Sequence, residues 1–181
     1  MKVEETALPG VLVLTPQMYR DNRGSFTETW NLCRMEEVGL PATWVQDNFS
    51  ISKKNVQRGI HYQVTQPQGK LVHVVYGAVL DVAVDLRRSS AAFGRHVAMT
   101  LSEENGKMMW IPPGFGHAFL ALSDTAGFSY KVTDYYSAAD ERTILWNDPE
   151  LGIPWPVDAE SVIVSDKDAQ GAKFCDAEVY V

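Results

Sequence analysis

Arg58-Gly59-Ile60-His61-Tyr62-Gln63, with Gly69-Lys70 close behind, sets a cation, a glycine and a histidine among apolar or small residues. That period-two spacing suits a strand, on which residues i, i+2 and i+4 share a face. Gly59, His61 and Gln63 are expected on one face, and Arg58, Ile60 and Tyr62 on the other. Histidine is the side chain whose ordinary pKa suits proton transfer near neutral pH. A histidine alone on a strand is commonly just a polar residue, so its meaning depends on what the rest of the chain brings to it.

Further strands are legible on both sides of this stretch. Upstream, residues 11–15 after Pro9-Gly10, 25–30 after the turn signal Asp21-Asn22-Arg23-Gly24, and 46–52 all read as strands. Asn31 stands where it can cap a short helix through Val38, ended by Gly39 and Pro41. Residues 70–76 and 79–86 form the clearest hairpin, turning at Gly77-Ala78. In its second strand Leu80, Val82, Val84 and Leu86 make an apolar face. Asp81, Ala83 and Asp85 make the other, a polar face suited to a cavity wall. Shorter strands are predicted over 96–101, 107–111, 117–122, 128–133 and 143–146, before a loop-rich end with a short helix. Many short strands with Gly and Pro turns predict an all-β sandwich or barrel, best a jelly roll, with short peripheral helices.

A chain of 181 residues fits a single domain spanning 1–181. Hydrophobic residues at 45% and charged residues at 22% are ordinary for a soluble globular protein. A net charge of −7 argues against a general nucleic-acid binder, though a few local cations still suffice for an anionic small ligand. The start, Met1-Lys2-Val3-Glu4-Glu5, lacks the regions of a signal peptide. No run of about 18 apolar residues suggests a membrane span. Cys33 and Cys175 form no metal or redox motif and read as reduced thiols in a cytoplasmic protein.

Pro112-Pro113-Gly114-Phe115-Gly116-His117 puts a second histidine at the start of a strand, and it resembles the second motif of the cupin superfamily. A metal-dependent cupin would show His-x-His and a downstream Glu in its first motif. Here His61-Tyr62-Gln63 stands instead, and His61 and His117 alone are too few ligands for a transition metal. The resemblance sharpens along the chain. Asp21-x-Arg23-Gly24-x-Phe26, Gln46-x-Asn48-x-Ser50, Arg58 to Gln63, Gln68-Gly69-Lys70, Asp81 to Arg87 and Phe93-Gly94 come in order. Pro112-x-Gly114-x-x-His117, Tyr130-Lys131, Tyr135-Tyr136, Ile144-x-Trp146-x-Asp148 and Ser165-x-Lys167-Asp168 follow. Together they are similar to the dTDP-4-dehydrorhamnose 3,5-epimerase family, with mild departures at Ile60 and Ala118.

That resemblance implies a cupin jelly roll, no metal and no redox cofactor. It implies conversion of dTDP-4-dehydro-6-deoxy-D-glucose to dTDP-4-dehydro-L-rhamnose. The C4 ketone acidifies C3 and C5, so inversion needs a base on one face, an acid on the other and a group to stabilise the enolate. By resemblance His61 is the base, Asp168 its carboxylate partner, Tyr130 the proton donor and Lys70 the cation beside the C4 oxygen. Arg23 and Arg58 are implied to reach the diphosphate, with Lys167 as a further cation. Phe26 and Tyr136 are implied to flank the rings, while Gln46, Asn48 and Gln63 offer hydrogen bonds. His117 lines the site, either hydrogen-bonding substrate or supporting Asp81 or Asp85 behind it, and those two aspartates are expected to neutralise Lys70 or His117. The family also implies a homodimer with exchanged N-terminal strands, so that Arg23 and Phe26 serve the neighbouring site. The alternatives are an epimerase acting at C3 only, a metal-dependent cupin oxygenase, and a non-catalytic sugar-binding cupin.

Overall fold

A computed structural model describes residues 1–181. Its strands are β1 (Lys2–Glu5), β2 (Leu12–Thr15), β3 (Met18–Asp21), β4 (Gly24–Thr27), β5 (Gln46–Lys53), β6 (Gln57–Gln63) and β7 (Lys70–Tyr76). After them come β8 (Ala78–Asp85), β9 (His96–Ser102), β10 (Met108–Ile111), β11 (Phe115–Ala121), β12 (Thr125–Val132) and β13 (Glu141–Thr143). A six-stranded sheet runs β1-β2-β10-β7-β12-β5, a five-stranded sheet runs β13-β6-β11-β8-β9, and β3 pairs only with β4. The two large sheets are antiparallel throughout and face each other. This is the all-β jelly-roll sandwich that the short-strand pattern predicts.

Alternation along the strands fills the space between the sheets. Val72, Val74, Met109, Ile111 and Phe128 meet Val79, Ala83, Leu101, Phe115 and Phe119 there. Each large side chain so buried contributes about 1.5–3 kcal/mol. The outer face of the five-stranded sheet is covered too. Ile60, Tyr62, Val82, Val84 and Leu86 pack against Leu151, Phe174, Ala177 and Val179 from the loop-rich last third. Covering both faces explains why every residue of β11 is buried. On the other side α1 (Leu32–Glu37) lays Met35 on Leu14, Leu71, Met108 and Trp110. The Asn31 side chain accepts from the Arg34 amide at 3.3 Å, capping the helix as its sequence predicts. A second helix, α2 (Asp166–Ala169), is capped by Ser165. No helix is long and apolar enough to cross a membrane. Cys33 and Cys175 are free and exposed.

One irregularity positions the site. His61 in β6 lies opposite His117 in β11, whereas Arg58 lies opposite Phe119, so three steps on one strand match two on the other. This is a bulge, and an extra residue reverses the facing of everything beyond it. Arg58 therefore shares the inner face with His61, while Ile60 and Tyr62 enter the outer core. Simple alternation, which puts Arg58 behind His61, is corrected here. Gly59 sits in the bulge at φ +103°, where a Cβ would lie 2.3 Å from the His117 carbonyl oxygen and 2.8 Å from Ala118 Cα. Only glycine fits.

Candidate active site

A cavity of about 590 Å³ opens between the sheets, a size suited to one small ligand. The six-stranded sheet contributes Asn48 and Ser50 from β5, Lys70 from β7, and Phe128 and Tyr130 from β12. The opposite wall is Gln57, Arg58 and His61 from β6 with His117 and Phe119 from β11. Ile163, Val164, Ser165 and Asp168 close one side. Two prospective proton carriers, His61 and Tyr130, thus hang from opposing sheets.

His61 Nε2 lies 2.5 Å from Asp168 Oδ1. Burial alone would raise the Asp168 carboxyl, but the hydrogen-bonded His61 side chain, with smaller help from Ser165 and the Gly59 backbone, holds it below its ordinary value. An ionised carboxylate only accepts, so Nε2 carries a proton toward Asp168, and in the neutral imidazole the lone pair is on Nδ1. His117 Nε2 pairs with Asp81 Oδ2 at 2.8 Å, and its ring stacks 5.8 Å from that of Phe128. Burial lowers the His117 pKa despite Asp81. Burial also pulls the Lys70 ammonium down from 10.5 to about 8, against Glu141 and Asp81. Tyr130 is pushed up by burial and then by Glu141. The Arg58 guanidinium Nε donates to Ser52 Oγ at 3.1 Å. No cluster of three or more His, Cys, Asp or Glu converges as metal ligands.

The cavity thus gathers His61, Asp168, Lys70, Tyr130, His117, Asn48 and Arg58 from the residues singled out by sequence. Gln46 stands one hydrogen bond behind the cavity, and Tyr136 and Lys167 lie further out, bonded to Gln46 and Glu141. Gln46 Nε2 donates to Asn48 Oδ1 at 2.8 Å and its Oε1 accepts from the Tyr136 amide at 3.3 Å. Gln63 is not brought to the cavity. It is 2% exposed, and its amide donates to the Gln66 and Tyr135 carbonyls and accepts from the Ser137 amide. It is a strut for the segment leading to β13. Arg23 and Phe26 lie on the β3–β4 hairpin, both exposed and outside this cavity, with Arg23 paired to Asp21. Asp85 does not support a catalytic cation: it holds Arg87 and the Ser90 hydroxyl. Asp81 takes the supporting role alone.

Glu141 is the residue that sequence reading passes over. Its Oε1 lies 3.9 Å from His61 Nδ1, its Oε2 accepts from the Tyr136 hydroxyl at 2.8 Å, and Lys167 pairs with it. Burial would raise its carboxyl, yet Lys167, Tyr136 and His61 together hold it low. Its short strand, Glu-Arg-Thr, carries no hydrophobic period. Only the pairing Glu141↔Gln63 and Thr143↔His61 brings it alongside β6.

A family model described as dTDP-4-dehydrorhamnose 3,5-epimerase matches residues 5–176. The chain is 49% identical over 181 residues to the dTDP-4-dehydrorhamnose 3,5-epimerase of Pseudomonas aeruginosa, covering 99% of each. It is 48% identical over 183 residues to the Shigella flexneri protein of that name, covering 100% of each. Its fold matches the crystal structure of the dTDP-6-deoxy-D-glucose-3,5-epimerase of Legionella pneumophila in complex with dTDP-4-keto-L-rhamnose. The TM-score is 0.94 at 45% identity, covering 98% of this chain and 94% of that one.

Proposed function

The chain belongs to the dTDP-4-dehydrorhamnose 3,5-epimerase family and is an isomerase with that activity, and we propose that His61 and Tyr130 carry its two proton transfers. The substrate is dTDP-4-dehydro-6-deoxy-D-glucose. His61, oriented by Asp168, removes the proton next to the C4 ketone through Nδ1. Asp168 stabilises the imidazolium that forms, as a buried carboxylate does in hydrolase triads. Charge builds on the C4 oxygen, where the Lys70 ammonium and the His117–Asp81 pair stand in a site shielded from water. Tyr130 then returns a proton from the other face. The observation that supports this reading is the origin of His61 and Tyr130 on opposite sheets of one cavity, with Lys70 among the lining residues.

Arg58 and Lys167 are the cations within reach for the diphosphate, and Tyr136 is an exposed ring suited to stacking on thymine. Arg23 and Phe26 contact substrate in the cavity of a second copy, the hairpin being exchanged within a homodimer. Residues 1–181 work as a single domain in the cytoplasm. Incubation with substrate and a reductase that traps the L-rhamnose nucleotide tests the assignment. Wild type should yield the trapped product, and His61→Ala should yield none while still binding dTDP. Full turnover by His61→Ala would refute the role of His61, and product inverted at C3 alone would narrow the activity.

A further inference from the structure

β6 begins with a side chain that the chemistry above leaves unused. Gln57 is 1% exposed and borders the cavity. Its Nε2 donates to the Gly59 carbonyl at 2.9 Å, while its Oε1 is buried with no partner. An orphaned buried amide oxygen is costly, and a leucine would fill the same volume without that cost. Packing therefore does not account for a glutamine here; the donor nitrogen does.

The bulge explains what the donor is for. A bulged residue drops out of the strand ladder, so its amide and carbonyl need partners elsewhere. The Gly59 carbonyl is served by Gln57. Glycine is the most conformationally permissive residue, so its orientation has to be held from outside. We infer that Gln57 is a positioning residue: by clamping the Gly59 carbonyl it fixes the bulge two residues before His61 and so holds the imidazole in line with Asp168. This inference rests on the reading of His61 as the base.

Two substitutions and two measurements test it. In Gln57→Leu, kcat is expected to fall about tenfold, the loss of roughly one hydrogen bond's worth of alignment, with KM changed less than about twofold. The downfield proton resonance of His61 Nε2–H, held by Asp168, is expected to shift or broaden. In Gln57→Glu the carboxylate repels the Gly59 carbonyl, whereas the protonated acid donates to it. The ratio of its kcat to that of wild type should therefore rise as pH falls, which a mere packing role would not produce. An unshifted resonance with full kcat in folded Gln57→Leu would overturn the inference. If that variant does not fold, a kcat ratio for Gln57→Glu independent of pH would overturn it. If wild type failed to exchange protons at C3 or C5, the reading of His61 would fall, and the resonance would still judge Gln57.

Discussion

Lys70→Met should make the protein more stable and much less active. The lysine is 8% exposed, and burial brings its pKa from 10.5 to about 8. A difference of about 2.5 pH units between folded and unfolded states, at 1.36 kcal/mol each, means the charged form costs about 3 kcal/mol of stability at pH 7. The sign follows from proton counts. Between about 8 and 10.5 the unfolded chain holds more protons on this lysine than the folded one does. Wild-type stability from this group therefore rises with pH across that window, and the penalty is complete below it. Methionine keeps the volume and removes the charge. Urea or thermal unfolding at pH 7 and one protein concentration should show a gain of about 2–3 kcal/mol, or roughly 4–12 °C in Tm. The advantage should shrink as pH approaches 10.5. In the same variant kcat should fall about 100- to 1,000-fold, the usual loss when a preorganised group facing a developing oxyanion is removed. A Lys70→Met protein less stable than wild type at pH 7, or one retaining normal turnover, would refute this reasoning.

Other consequences are checked more simply. The pH profile of kcat/KM should fall above about 8 as Lys70 loses its proton, and Lys70→Arg should remove that limb; a profile level up to 10.5 would contradict it. Gly59→Ala should lose at least about 3 kcal/mol in denaturant unfolding, because positive φ and backbone contact act together, and a wild-type midpoint would contradict this. Mixing inactive Arg23→Ala with inactive His61→Ala and reassembling them should restore about a quarter of wild-type activity. Half the dimers are then mixed, and one of their two sites carries neither change. No recovery would mean that the hairpin serves its own subunit.

The sequence reading succeeds where local chemistry and global fold agree. The β7–β8 hairpin, the α1 helix with its Asn31 cap, and the strands bearing His61, His117 and Tyr130 all fall where periodicity and turn residues put them. It fails where pairing overrides the local pattern. β1 reads Lys-Val-Glu-Glu and β3 reads Met-Tyr-Arg-Asp, neither with an apolar face, and each exists because an antiparallel neighbour holds it. The bulge at Gly59 is set by contact with β11, so strict alternation assigns Arg58 to the wrong face. Gln63 is polar and near His61, but nothing in its own segment shows that Tyr135 and Ser137, far along the chain, occupy its amide. Glu141 and Gln57 are invisible for a related reason: their meaning lies in partners distant along the chain or in backbone geometry.

The central claim is that protons leave and return from opposite walls of the cavity. Its most direct test is proton NMR of the 4-dehydro-6-deoxyglucose nucleotide in deuterated water with wild type and with Tyr130→Phe. Wild type should place solvent deuterium at C3 and C5 and deliver the inverted sugar. Tyr130→Phe should still exchange protons through His61 but lose completed inversion. Equal loss of exchange and inversion in that variant, or full inversion without Tyr130, would contradict the assignment of base and acid to the two sheets.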